Sequence, residues 1–404
     1  MLKPVKTTNP LRVLMLLENN TWPEDDRVRR EAMTLTGAGH RVTVVCPKRE
    51  GQPSRELADG VRIYRFRAPA PGNGFFGYLW EYGYSLVACL LLSLRAFFRE
   101  GFDVIHAHNP PDLFVLIAML YKPFGRRFVF DHHDLSPEMY RARFQHGGSR
   151  AVFQALLGFE KLTCKLADHV ISTNESYKTL VMERHGVYER NITIVRNGPD
   201  LDRIKLVDPD PEIRGRAGSV FGYLGIMGYQ DGIDYLLRAL SHLVRDFRRD
   251  DFYCVLVGEG DARADLMRLA TELGLDHRVR FTGRISDEDM LRALSSTDIC
   301  VDPDPSNPFN DRSTMTKIME YMALARPIVA FDLPEHRASA GEAALYAEPN
   351  DEISMARQLI ALMDDPERCQ RLGELGRHRV ETQLAWQFQE QHLLKAYGRL
   401  VGTP

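Results

Sequence analysis

Short apolar runs recur along the chain, separated by stretches of helical period and by turns. In the first half they fall at Arg12–Glu18, Arg41–Pro47, Val61–Arg67, Asp103–His108, Arg127–His133, His169–Asn174 and Ile192–Asn197. In the second half they fall at Ser219–Gly225, Phe252–Gly258, Val279–Gly283, Asp298–Asp302, Pro327–Asp332 and Ala344–Glu348. Runs that are apolar throughout read as strands covered on both faces, and their alternation with helices predicts parallel sheets in an α/β fold. Between the two sets lie Asn197-Gly-Pro-Asp200 and then the polar, Pro/Gly-rich stretch 208–219, which predicts a hinge. The chain closes on a helical stretch, Trp386–Leu400. The expected division is a first Rossmann-like domain over 1–198, a second over 199–385, and a terminal helix over 386–404.

Residues 306–335 carry the most chemistry. After the strand Asp298–Asp302 they predict a polar loop, a helix from Thr314 to Leu324, and the strand Pro327–Asp332. Ser313, Lys317 and Glu320 share one helical face, while Met315, Ile318, Met319 and Met322 form the apolar side. Unpaired N–H groups of a first helical turn, with one lysine, suit a phosphate. A carboxylate further along can accept hydrogen bonds from the paired hydroxyls of a ribose. In a doubly wound sheet such a helix start faces the crevice beyond the strand ends. Taken alone, the same pattern is better read as a surface helix with a solvated Lys–Glu pair.

Length and composition extend the picture. A chain of 404 residues predicts two or three domains, and 44% hydrophobic with 26% charged residues is enough for large cores. The six cysteines show no C-x-x-C and no metal-like spacing, so they read as reduced core residues of a cytoplasmic protein. The first apolar run ends in Glu18 and reads as a strand rather than a signal peptide. Residues 1–196 hold 27 Lys+Arg against 20 Asp+Glu, a net of +7, and the remainder 25 against 35, a net of −10. A basic first half predicts an anionic partner, either a phospholipid surface or a phosphate-bearing acceptor. No basic run with interleaved aromatics points to nucleic acid.

Several motifs now fall into order: PEDDRVRREAMTLTGAGHRVTVVCP near the start, DVIHAHNPPD at 103–112, VRNGPD at the junction, then VLVGEGD, VRFTGRIS and EYMALARPIVA, and a terminal Trp-containing helix. Together, over about 390 residues, they resemble glycosyltransferase family 4. The resemblance implies the GT-B architecture, two Rossmann-like domains facing a cleft, with the terminal helix crossing back to the first. It also implies retaining, metal-independent transfer of a sugar from a nucleoside-diphosphate donor, a UDP-sugar foremost. The acceptor would be a saccharide or a polyprenyl-linked lipid in cell-surface polysaccharide synthesis. No cofactor is expected. A retaining glycosidase would need two carboxylates flanking the scissile bond, and no such pair is evident.

From the resemblance, the donor site is expected at Gly225, Gly228, Gly258, Gly260, Gly283, Arg284, Ile285, Ser313, Thr314, Met315, Lys317 and Glu320. The base would lie near Gly283-Arg284-Ile285, the ribose on Glu320, and the diphosphate at Ser313–Lys317. Two departures stand out. Family members carry an Arg and a Lys after the first strand of the second domain; here Gly225-Ile-Met-Gly228-Tyr-Gln-Asp231-Gly232 places Ile226 and Asp231 there. Family members also carry two glutamates eight positions apart; Glu320 matches the second, but Arg312 replaces the first. The expectation is that Arg312 and Lys317 have taken over neutralising the diphosphate. The alternative is a degenerate relative that binds without turnover. A sugar-nucleotide epimerase on the same fold is a third reading, opposed by the crossing helix.

In the first domain, Asp131-His132-His133-Asp134 follows a strand. The family places a sugar-binding histidine here; His133 is the first choice and His132 the second. Glu138 reads either as an acceptor ligand or as an early-turn glutamate favoured by the helix dipole. His106 and His108 read as cleft lining rather than metal ligands, and no metal site is expected. Arg27 is a candidate for the phosphate, or else an exposed helical arginine. Phe75–Phe98 is rich in aromatic and apolar residues, with an uncharged run from Tyr82 to Leu94 too short to span a bilayer. Most such stretches are buried helices, but the resemblance implies an interfacial one that would make the enzyme peripheral on the inner membrane face; the two readings stand even.

Overall fold

The computed structural model describes residues 9–69, 74–143 and 148–400, without the side chains of 74–76, 78, 79 and 143. The chain forms two compact units: residues 1–196 with 389–404, and residues 197–388.

The first unit holds β1 (Arg12–Leu16), β2 (Arg41–Lys48), β3 (Arg55–Ala58), β4 (Val61–Arg67), β5 (Val104–His108), β6 (Arg127–His132), β7 (His169–Ser172) and β8 (Ile192–Ile194). They make one sheet in the order β3-β4-β2-β1-β5-β6-β7-β8. All pairs are parallel except β3 with β4, an antiparallel edge that the apolar pattern did not announce. β3 reads Arg-Glu-Leu-Ala and its residues are at most half-buried, so no apolar run marks it. The order reverses between β1 and β5, the point at which a doubly wound sheet opens a crevice at its strand ends.

Three helices of this unit matter below: α1 (Asp26–Gly37), α2 (Gly74–Arg99) and α3 (Val115–Tyr121). Asp25 caps α1, its side chain accepting from the Val28 N–H, which satisfies one of the unpaired donors of the first turn. The terminal helix, Trp386–Leu400, belongs to the first unit from Gln389 onward. Gln389 Oε1 accepts from the Arg196 N–H at 3.0 Å, and Tyr397 bonds His106 Nδ1 at 2.9 Å through its hydroxyl.

The second unit holds β9 (Ser219–Leu224), β10 (Phe252–Val257), β11 (Val279–Gly283), β12 (Ile299–Asp302), β13 (Ile328–Phe331) and β14 (Ala344–Ala347). Their order is β11-β10-β9-β12-β13-β14, parallel throughout, with the reversal between β9 and β12. Both faces are covered by apolar clusters, one around Phe221, Leu237 and Leu256, the other around Ile318, Met319 and Met322. The stretch 208–219 is not a free hinge. Asp210 N–H donates to Ser296 Oγ at 2.7 Å, Val207 N–H to Ser295 Oγ at 3.2 Å, and Arg214 pairs with Asp298 at 2.5 Å. Its polar residues are spent on anchoring it to the second unit.

Candidate active site

Each unit assembles its own polar centre at the carboxyl ends of its central strands. In the second unit, three strand ends meet through glycines. The Gly225 N–H donates to the Val257 carbonyl at 3.0 Å and the Gly258 N–H to the Gly283 carbonyl at 3.2 Å. A Cβ on Gly258 would lie 1.8 Å from the Gly225 oxygen, and one on Gly260 would lie 2.5 Å from the Met227 oxygen. Only hydrogen fits between these backbones, so the VLVGEGD motif is a packing requirement. A cavity of about 250 Å³ opens beside this junction. Gly258, Gly283, Arg284, Ile285, Met290 and Glu320 line it, with Arg203 and Asp287, which pair at 2.8 Å. It offers a half-buried carboxylate, backbone groups of strand ends and an apolar wall, a set able to take paired hydroxyls and a flat heterocycle.

The 306–335 segment folds otherwise in detail than its pattern predicts. Its helix is Thr316–Ala323, preceded by a single turn at Asn310–Arg312. Met315 stands at the helix cap without a side-chain bond, the Ser313 hydroxyl donates to the Phe309 carbonyl, and the Thr314 hydroxyl donates to Glu335 at 3.1 Å. Arg312 is exposed, donating to the Pro308 carbonyl at 2.9 Å. Neither Arg312 nor Lys317 lines the cavity.

Lys317 requires a correction. Its ammonium is buried, 2.7 Å from Asp304, 3.4 Å from Asp302 and 5.0 Å from the centre of the Tyr223 ring. Burial alone would push the ammonium down, but the two carboxylates outweigh it and hold Lys317 well above its ordinary range. Its charge is thus answered inside the protein, and it is not a cation held in reserve for a diphosphate. Asp302 and Asp304 lie at the β12 end and were not anticipated as its partners; the Asp-Pro-Asp-Pro run at 302–305 signals the chain leaving the strand but not what its carboxylates meet. Asp231, at a position where cations are usual in the family, accepts from the Gly228 N–H at 2.8 Å and ties the loop after β9. Ile226 is exposed.

In the first unit, β5 and β6 pair so that His106 lies opposite Val129 and His108 opposite Asp131. Side chains alternate along a strand, so Asp131 and His133 lie to one side and His132 to the other. His108 Nδ1 is 2.9 Å and His133 Nδ1 3.2 Å from the same Asp131 oxygen. Arg27 grips Asp131 through two bonds of 2.6 Å and also donates to the Val195 carbonyl at 3.0 Å. Burial would lower the His133 ring, but the Asp131 charge more than offsets it and holds His133 above its ordinary range. Its side chain keeps 14% exposure, whereas those of His108 and Asp131 have none.

These contacts revise four expectations. Arg27 is neither exposed nor a free phosphate ligand, because its guanidinium is committed to Asp131 and lies 3.2 Å from Glu31. His106 and His108 are fully buried rather than lining a surface. His132 points into a separate network, 3.2 Å from Glu160, which also meets His185 at 2.9 Å and Arg184 at 3.0 Å. Glu138 pairs with Arg184 of that network. His133 alone of the two ring candidates joins the Asp131 centre. Glu31 and Tyr397 complete that centre and were not foreseen: Glu31 reads as one more polar helical residue, and Tyr397 lies 291 positions from His106. Only the fold brings them together.

The family model described as "Glycosyltransferase Family 4" matches residues 27–203, and that described as "Glycosyl transferases group 1" matches residues 218–365. Among curated relatives, a glycogen synthase from Mycobacterium tuberculosis is 24% identical, the match covering 89% of this chain and 87% of the relative. A 2-deoxystreptamine glucosyltransferase from Streptomyces kanamyceticus is 22% identical, covering 84% and 89%. Among solved structures, the sucrose-phosphate synthase of Thermosynechococcus elongatus superimposes with a TM-score of 0.79 at 20% identity, covering 98% of this chain and all of that one. HepE from Anabaena, solved with UDP and glucose, gives a TM-score of 0.71 at 15% identity, covering 96% of this chain and 100% of that one.

Proposed function

The chain belongs to family 4 of the glycosyltransferases, group 1, and on that premise we propose that it transfers a hexosyl residue from a nucleoside-diphosphate donor to a saccharide or lipid-linked acceptor. The observation that carries this reading is the cavity at the β9–β11 ends, where Glu320 faces Gly258, Gly283, Arg284 and Ile285. In this reading Glu320 accepts from the ribose hydroxyls and the backbone at Arg284–Ile285 holds the base. The Anabaena HepE structure contains UDP, which makes a UDP-sugar the first donor to try.

Breaking the anomeric C–O bond leaves negative charge on the departing diphosphate, so donors must already be aimed at it. With Lys317 held by Asp302 and Asp304, that part falls to the first-turn N–H groups of the Thr316–Ala323 helix and to Arg312. His133 is assigned to the donor sugar, its orientation set by Asp131. Retention follows from a front-face course in which the leaving phosphate helps take the acceptor's proton, and no metal ion is required. The setting is synthesis of a cell-surface polysaccharide on the cytoplasmic side.

Ile226, Asp231 and the neutralised Lys317 favour one second reading, a degenerate protein that binds nucleotide sugars without turnover. Incubation with UDP-, GDP- and ADP-sugars, with and without EDTA, separates the two. Slow release of sugar and nucleoside diphosphate from one donor, unaffected by EDTA, is the expected result. Binding without release supports the second reading, and interconversion of sugars without nucleotide release supports an epimerase.

A further inference from the structure

The β5–β6 ladder ends with His108 opposite Asp131, and beyond it the two chains part. The backbone of the 133–134 turn loses its strand partner there, and each N–H and C=O needs a new one. One side chain supplies it. Asn109 Oδ1 accepts from the His133 N–H at 2.9 Å and from the Asp134 N–H at 3.1 Å. Asn109 Nδ2 donates to the Asp134 carbonyl at 2.6 Å and to Asp112 Oδ1 at 3.2 Å. A carboxamide has two accepting positions and two hydrogens, and all four are used. Exchanging its oxygen and nitrogen would set donor against donor at the turn and oxygen against oxygen behind it, so the orientation is fixed.

Asn109 is itself held firmly. It is 1% exposed, so water does not compete for these bonds, and its own N–H donates to the Asp131 carbonyl at 3.3 Å. Asp112 is buried in the single turn ahead of α3, and its carbonyl accepts from the Thr163 hydroxyl at 2.9 Å. The His133 ring, by contrast, does not fix its own place. Its bond to Asp131 is 3.2 Å, and the same carboxylate is already gripped by Arg27 through two bonds of 2.6 Å and by His108 at 2.9 Å. A ring released from the turn would leave Asp131 satisfied, and little would draw it back.

We propose that Asn109 is the positioning residue of the donor-sugar histidine: its amide holds the 133–134 turn so that the His133 ring meets Asp131 through Nδ1 and offers Nε2 to the sugar. Displacing a reacting or orienting group by about 1 Å costs up to about a hundredfold in rate. The ring's titration reports its place. Burial lowers it, the Asp131 charge raises it by more, Asp134 adds to the rise and Arg27 opposes it. Glu31 on α1 and His108 on β5, its ring centre 6.2 Å away, face it from behind. Away from Asp131 the ring loses the largest of the raising charges and returns toward the ordinary histidine value.

The inference rests on the assignment of the donor sugar to His133, but its first readout needs no donor. Imidazole NMR of the whole protein follows the ring, with His133→Ala identifying its signal. The parent ring should titrate above the ordinary histidine value, and in Asn109→Ala it should fall back toward that value. Turnover at saturating donor should drop at least about tenfold in this variant, with nucleoside-diphosphate affinity unchanged because the nucleotide belongs to the other unit. Asn109→Asp keeps both accepted bonds, so it should keep the raised titration and a turnover between those of the parent and His133→Ala. It carries the test if Asn109→Ala does not fold, and its extra charge only adds to the elevation, which makes a fall there decisive. Parent-like titration or full turnover in Asn109→Ala, or an ordinary titration in Asn109→Asp, would overturn the proposal. Turnover retained in His133→Ala would sink the sugar assignment, and with it the positioning role, while the ring titrations still report whether Asn109 holds the turn.

Discussion

Burial, and after it the neighbouring Asp131 charge, raises the Glu31 carboxyl from 4.5 to about 7, against the pull of Arg27. The folded state then holds this proton more tightly than the unfolded chain does. The resulting stability is fully present below the unfolded value near 4.5 and is lost as pH rises through about 7. Glu31→Gln has nothing to ionise. Relative to the parent, it should gain on the order of 3 kcal/mol between pH 4.5 and pH 8, as an upper bound from about 1.4 kcal/mol per unit. Denaturant titrations at the two pH values check this, and a constant difference between the proteins would show that Glu31 stays ionised throughout. Single residues were also where the sequence was hardest to read. The spacing of Ser313, Lys317 and Glu320 placed them on one helix, and Glu320 does line the cavity. The spacing could not reveal that Asp302 and Asp304 reach Lys317 first, because that depends on how β12 ends. Likewise His132 and His133 are equivalent as letters, and only strand alternation separates them.

Secondary elements were far more legible, because a parallel strand covered on both faces announces itself as a continuous apolar run. All thirteen such runs named at the outset appear as strands, most of them shortened by a residue or a few, two with the same bounds and β2 one residue longer. β3 escaped because an edge strand with open sides needs no apolar run. Helix α2 was legible as a helix, but which face it buried was not. The strand ends also fix where glycine is obligatory. At Gly258, φ is +142° and a Cβ would lie 1.8 Å from the Gly225 oxygen, so backbone must move to admit any side chain. Gly258→Ala should lower the stability of the second unit by roughly 2–4 kcal/mol and widen the junction beside the cavity. Differential scanning calorimetry with and without nucleoside diphosphate checks both effects. A variant of unchanged stability would mean that the junction yields easily and that the motif serves the ligand instead.

For the molecule as a whole, the α/β class and the family were readable from motif order alone, since one architecture satisfies all of the motifs together. The division of labour was not, because each centre is completed by residues distant in sequence: Arg203 and Glu320 in one unit, Arg27, Asp131 and Tyr397 in the other. In the proposed reaction the second unit binds the nucleotide and His133 of the first handles the sugar. Affinity for the nucleoside diphosphate and turnover of the donor, measured side by side on the parent, Glu320→Ala and His133→Ala, test that assignment most directly. Glu320→Ala should weaken diphosphate binding about tenfold or more, as loss of hydrogen bonds to a charged group implies, and turnover at limiting donor should fall with it. His133→Ala should bind the diphosphate as the parent does and lose most of its turnover. Unchanged binding in Glu320→Ala, or binding and turnover falling together in His133→Ala, would contradict the account.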